Sequence, residues 1–174
     1  MTEGKPALPE PWLRGTLAEV PPVARGVLHA LELAQEDLRQ WCGPLTPEQL
    51  HARPAGLPSA AFQLRHIAGS LDRLLTYAEG RSLSDAQLQA LKLEAEPPQG
   101  TAEEILAELD ESVAFAAQRV RALALHDYAT PRFVGKRQLP TTLGGLLVHI
   151  ADHTQRHVGQ AITTAKLVST SFAF

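Results

Sequence analysis

Three of the seven histidines in this chain of 174 residues, His149, His153 and His157, stand four residues apart. In a helix, residues four apart lie above one another, close enough for two imidazoles to share one divalent cation. The run from His149 to His157 spans about 12 Å of helix axis, so one ion takes an adjacent pair rather than all three. Helical phase selects the pair. With Ile150 at the middle of the buried face, His157 lies about 20° away, His153 about 60° and His149 about 100°. His153 and His157 therefore point inward together. A buried ring without a polar partner costs free energy, and a metal ion would supply that partner. The competing reading is a half-buried pair bonded to backbone or carboxylates.

A third ligand has to come from another helix, and His66 and His29 are the candidates. His66 stands about 100° from the centre of its own apolar stripe, so phase alone makes it a flank residue. Depth favours it if the two helices run antiparallel, which levels His66 with His157. A parallel arrangement would level it with His149. Three neutral imidazoles would leave an ion near its full charge with positions open, the pattern of catalytic rather than sealed sites. Such an ion lowers the pKa of a bound water or thiol. Zn²⁺ or Ni²⁺ suits imidazole donors, and the sequence does not separate them from Fe²⁺ or Mn²⁺.

Other polar residues of the same helix are weaker candidates. His149, Asp152 and Gln160 could support the ligands from outside; Asp152 and Gln155 also suit a solvent-facing role. Gly159 interrupts a helix at a cost of about 1 kcal/mol, which close approach of a neighbouring helix would explain. Cys42 reads as a small buried filler rather than a nucleophile. No serine or threonine sits in a nucleophile motif, and no glycine-rich phosphate loop is present.

Four amphipathic helices of about 20 to 27 residues would position these groups. The first covers 23 to 42, with Val27, Leu31, Ala34, Leu38 and Trp41 on one face, ended by Gly43-Pro44. A short turn follows, with Thr46 as N-cap, Pro47 at the first helical position and Gln49 closing a capping box. The second runs from Ser59 to about Gly80 with Leu64, Ile67, Leu71, Leu74 and Ala78 inward. A short helix fits Asp85 to Leu93, and Pro97-Pro98 breaks the chain before Thr101 caps the third helix, which runs to about Leu125. Its stripe is Ile105, Leu109, Val113, Ala116, Val120 and Leu123. After a loop, Thr141 or Thr142 caps a fourth helix to about Val168, with Leu143, Leu146, Leu147, Ile150, Ala161, Thr164 and Val168 inward. Four such faces are buried most simply in an all-α four-helix bundle. Residues 1–22 read as a proline-rich arm whose Trp12 and Leu13 dock on the body, 23–168 as one domain, and 169–174 as a tail. No alternating strand pattern stands out.

Composition narrows the function classes. The formal net charge is −3, and the densest basic stretch holds only Arg132, Lys136 and Arg137, so nucleic acid is not an expected partner. A single cysteine excludes an internal disulfide. No segment reads as a signal peptide or reaches the roughly 18 apolar residues of a membrane span, and the expected location is cytoplasmic.

The segment His149-Ile-Ala-Asp-His153-Thr-Gln-Arg-His157-Val-Gly-Gln160 resembles the last-helix signature of the DinB/YfiT-like superfamily of metalloenzymes, roughly His-x-x-His-His-Arg-Gly-Gln. Pro58 to Ser70, with His66-Ile-Ala-Gly69, resembles that family's second helix, and Thr46 to Leu50 its usual turn. The resemblance covers 23 to 168 and implies a DinB-type bundle, a metal triad of His66, His153 and His157, and a homodimer. Arg156 stands where the family often has histidine, and Val158 where it often has arginine. Known activities among relatives include transfer to low-molecular-weight thiols and a maleylpyruvate isomerase. The expectation is thus a divalent-metal enzyme that activates water, or a low-molecular-weight thiol as co-substrate, for hydrolysis or transfer on a small molecule. Basic residues in the loops (Arg81, Lys92, Arg132, Lys136, Arg137) favour an anionic one. Two other readings stand beside it: a metal-stabilised binding module without catalysis, and a metal-free scaffold.

Overall fold

The computed structural model describes residues 8–94 and 99–171. Residues 1–7, the Pro97-Pro98 break and the last three residues lie outside them. Four long helices form the core: α1 (Pro22–Cys42), α3 (Ala60–Ala78), α5 (Ala102–Leu123) and α6 (Leu143–Ser171). α1 packs on α5 and α6, and α3 packs on the same two, which closes a ring of four helices around one apolar interior. Two short helices, α2 (Pro47–His51) and α4 (Asp85–Leu93), and a hairpin of β1 (Pro131–Val134) and β2 (Leu139–Thr142) decorate this core.

A side-chain cap starts every α-helix but the first, which opens on Pro22 instead. Thr46, Ser59, Ser84 and Thr101 each accept a hydrogen bond from a backbone N–H three residues on, at 3.1–3.3 Å. Thr142 caps α6 through the Gly145 N–H at 3.1 Å. Most of the expected stripes are buried: Leu31, Leu38, Leu64, Ile67, Leu71, Ile105, Leu109, Leu147 and Ile150 are all at most 1% exposed, while Trp41 and Leu74 are only partly buried at the edge of the core. Cys42 lies fully inside, and burial pushes its thiol up to about 12, which removes it as a nucleophile.

The hairpin occupies what the sequence suggested was plain loop. Pro131 pairs with Thr142 and Val134 with Leu139, and Gly135 and Gln138, both at positive φ, make the turn between them. Each strand has four residues, one of them proline, so there is no alternation long enough to register. The arm also differs from expectation. Trp12 and Leu13 are 61% and 56% exposed. Arg14 holds the arm instead, donating to Glu32 at 2.9 Å and to both oxygens of Glu36 at 2.6 and 2.7 Å on α1. A planar guanidinium that meets two carboxylates outcompetes an apolar ring that finds no groove.

A polar network places α4. Arg119 of α5 donates to Asp72 of α3 at 2.8 Å and to Glu79, just past the end of α3, at 2.6 Å, and Gln87 of α4 donates to Asp72 and Thr76 at 2.6 and 2.8 Å. α4 buries none of its own residues, so these side-chain bonds rather than a core face hold it along α3. Its end therefore reaches the middle of α3, where His66 stands.

Candidate metal centre

His66 of α3 meets His153 and His157 of α6. Ring centroids are 4.3 Å apart for His66 and His157, 4.5 Å for His153 and His157, and 5.2 Å for His66 and His153. Each ring offers one nitrogen to a group whose atoms all lie within 4.8 Å of one another. Donors on a tetrahedral Zn²⁺ stand about 3.4 Å apart, so small ring rotations complete the approach. The helices run antiparallel here: Gln63 sits beside His157, and Thr164 donates to the Pro58 carbonyl at 3.3 Å. His66 can reach α6 from the flank of its stripe because α4, not a core helix, covers its other side.

The outer contacts turn the rings. The second nitrogen of His66, Nδ1, bonds Glu94 Oε2 at 3.0 Å, and that of His157 bonds Gln63 Oε1 at 2.7 Å. These bonds leave Nε2 of both rings for the cluster. A carboxylate or carbonyl behind a ligating histidine fixes its tautomer and raises its basicity. Arg73, buried on α3, grips Glu94 with both guanidinium nitrogens. Burial opposes charge on Glu94, yet the bonds from His66 and Arg73 hold its carboxyl below the usual range. Gly69 makes room: a Cβ there would overlap Glu94 Oε1 and lie 2.8 Å from Arg73. The Phe62 ring stacks on His66 at 5.6 Å and fixes its plane.

His153 has a buried Nδ1 without a hydrogen-bond partner. Burial, then the neighbouring His157, His66 and His149 and the Arg156 cation, lower its pKa from 6.5 to about 4. Burial and the His66 charge also lower that of His157, with Gln160 opposing. Both rings are thus neutral at pH 7, the form that donates to a metal. Three converging imidazoles, two with partners on their outer nitrogens and one with an orphaned polar atom, fit a divalent ion.

Of the remaining expected residues, His149 touches His153 ring to ring at 5.4 Å. Asp152 faces away from the triad, paired with Arg156 at 2.9 Å and near His149 at 3.6 Å. Gln155 is not solvent-facing: it donates to the Ala30 carbonyl of α1 at 2.8 Å and ties α6 to α1. Val158 is 2% exposed in the core. Gly159 has no helix pressed against it, since an added Cβ would meet nothing within 4 Å. The expected close approach is absent there because Gly159 lies on the outer side of α6. His29 pairs with Thr16 instead, at 3.1 Å. Glu94, Arg73 and Gln63 escaped the sequence reading. Gln63 could have been found as the residue three before His66, on the same side of the helix. Glu94 carried no local signal.

An antiparallel pair of helices in a four-helix core, each giving imidazoles to one point, defines a helical protein with a site able to coordinate one cation. The family model of the DinB superfamily matches residues 30–161, from within α1 to within α6. The chain belongs to that superfamily. A comparison with curated proteins returns no match. No helix among the described residues is long and apolar enough to cross a membrane.

Proposed function

We propose that the protein is a divalent-metal enzyme whose site is His66, His153 and His157, and that it acts on a small molecule with water or a low-molecular-weight thiol as nucleophile. The observation that carries this reading is the donor count. Three nitrogens converge, and among the described residues no further histidine, cysteine or carboxylate joins the group. A structural zinc site closes with four protein ligands, whereas a site with three keeps a position for a reactant. A bound ion supplies Lewis acidity, lowering the pKa of water or thiol at the open position. The protein's own groups do the rest. Glu94 and Gln63 hold two rings in the donor tautomer, Phe62 fixes the plane of His66, and half-burial keeps His153 and His157 unprotonated. Zn²⁺ or Ni²⁺ is the expected ion for an all-nitrogen set.

The test has two stages. Metal content and Zn²⁺ affinity are measured for the wild type and for His157→Ala. We expect about one ion per chain and its loss in the variant; full occupancy of His157→Ala would overturn the assignment. Cobalt-substituted protein is then titrated with N-acetylcysteine. A sulfur-to-cobalt charge-transfer band supports thiol activation, and its absence leaves water as the nucleophile, to be read in an esterase and amidase screen. Inactivity in both would reduce the site to a structural one.

A further inference from the structure

A cavity of about 320 Å³ lies between the Leu57-Pro58 turn and the outer side of α6, beside the triad but separated from it by Gln63. We propose that it binds a small aliphatic carboxylate; the proposal rests on the metal-centre reading above. Gln63 is the reason. It is 2% exposed, yet it lines the cavity. If Nε2 of His157 faces an ion, Nδ1 carries the proton and donates, so the Gln63 oxygen must face the ring and its NH₂ must turn away. No acceptor among the described residues meets that NH₂ group. That NH₂ group is not among the buried atoms left without a partner, so it opens to the cavity, where a ligand oxygen would take the place of water.

The remaining walls select the ligand's charge and shape. No lining residue is acidic. Arg156 supplies a cation at the rim, with one nitrogen held by Asp152 at 2.9 Å, and Gln160 adds a second amide. The two threonine hydroxyls of the wall already donate to the Gly159 and Pro58 carbonyls, at 2.8 and 3.3 Å. The free donors are therefore one cation and two amides, a set that suits a carboxylate rather than an amine. Leu57 and Pro58 give an apolar side for a short chain, and the volume is at the small end of ligand pockets. Gly159 gains a role here: it keeps its stretch of α6 open, and any larger side chain would project into that space. Because Gln63 touches both the ligand and His157, an occupant would be felt at the metal centre without ligating it.

The experiment uses the zinc-loaded full chain titrated with butyrate, followed by the ¹H–¹⁵N signals of the Gln63 side-chain amide and the Gly159 backbone. We expect saturable shifts of both, about tenfold weaker binding of neutral butyramide, and loss of at least about tenfold in Gly159→Leu. That variant should fold, since leucine is the better helix former, and should keep the wild-type zinc affinity. Arg156→Gln, the milder second variant, should weaken butyrate binding several-fold. Shifts confined to the rings of His66, His153 and His157 would mean that the carboxylate sits on the ion, and would overturn the proposal. Equal binding by butyramide, or by Gly159→Leu, would do the same. Zinc bound with no response to butyrate sinks this inference alone; a wild type that binds no zinc sinks the metal-centre reading with it.

Discussion

Glu94 is the residue whose removal most directly tests the proposed site, because it belongs to no core helix and yet bonds His66, a candidate ligand. The path from its Oε2 through the His66 ring to an ion is 3.0 Å to Nδ1, then about 2.2 Å across the ring and about 2 Å to the metal, about 7 Å in all. At an effective dielectric constant of about 20 a unit charge at that distance is worth about 2.4 kcal/mol, or about 5 kcal/mol for a dication. Arg73 sits directly behind the carboxylate and offsets much of this, and partial exposure screens more; Glu94 and His66 side chains are 14% and 20% exposed. The loss that remains should match the range for outer carboxylates, about 10- to 100-fold in affinity or roughly 1.4–2.7 kcal/mol. Glu94→Gln keeps an acceptor oxygen and loses the charge, so it should fall near the lower figure. Glu94→Ala also frees the ring to change tautomer and should approach the upper one. Competition against a chelator of known affinity measures both. The control is Gln87→Ala, which severs the other tether of α4 and should leave zinc affinity within about twofold. A weakening in Gln87→Ala as large as that in Glu94→Ala would show that α4 docking matters rather than the carboxylate. An unchanged affinity in Glu94→Ala would refute the outer-contact argument altogether.

Stability of the metal-free protein should fall as pH drops through the window from 6.5 to about 4. In that range the unfolded His153 binds a proton that the folded one does not, so the unfolded state gains. The loss is on the order of 2 kcal/mol after allowing for partial exposure, denaturant titrations at pH 7.0, 5.5 and 4.5 measure it, and His153→Leu should flatten the slope. Zinc at 100 times its dissociation constant should add about 2.7 kcal/mol, or roughly 5–10 °C in Tm, and EDTA should remove it. A melting temperature indifferent to both would favour a metal-free scaffold. Ile150→Ala, in a fully buried position one turn from His153, should cost about 2–5 kcal/mol in chemical denaturation.

The long helices were legible because each carries a periodic apolar stripe, and α2, α4 and α5 also because each opens with a capping box. Ser84, for example, closes a capping box with Gln87, and α4 spans the Asp85 to Leu93 that the pattern suggested. Phase on α6 was equally informative, since Ile150 is fully buried and His153 and His157 flank it at half-burial. His66 was harder for a physical reason. Its stripe faces the core, while the ring leaves sideways toward α6, and only the antiparallel packing of the two helices brings it level with the pair. The hairpin was missed because four-residue strands that contain proline carry no periodic signal. Trp12 was misread because exposure of an aromatic ring depends on a groove that composition does not reveal.

Candidate ligands and the groups that support them obey different rules, and this chain separates them cleanly. A ligand must point at a fixed place from a rigid helix, so its spacing is written in the helical repeat and can be read. A supporting group needs only one atom in one position, and any segment that passes nearby can provide it. Glu94 arrives 28 residues after His66, carried by a helix that buries nothing of its own. What fixes its carboxylate is the Arg73 guanidinium, while Asp72, held by Arg119, and Gln87 tether the body of α4, and all these residue types are ordinary on a helix surface. Tuning of the site is therefore free to vary while the triad stays in place. Substitutions at Glu94 or at Arg73, its partner on α3, should shift metal affinity and leave the identity of the three candidate ligands unchanged.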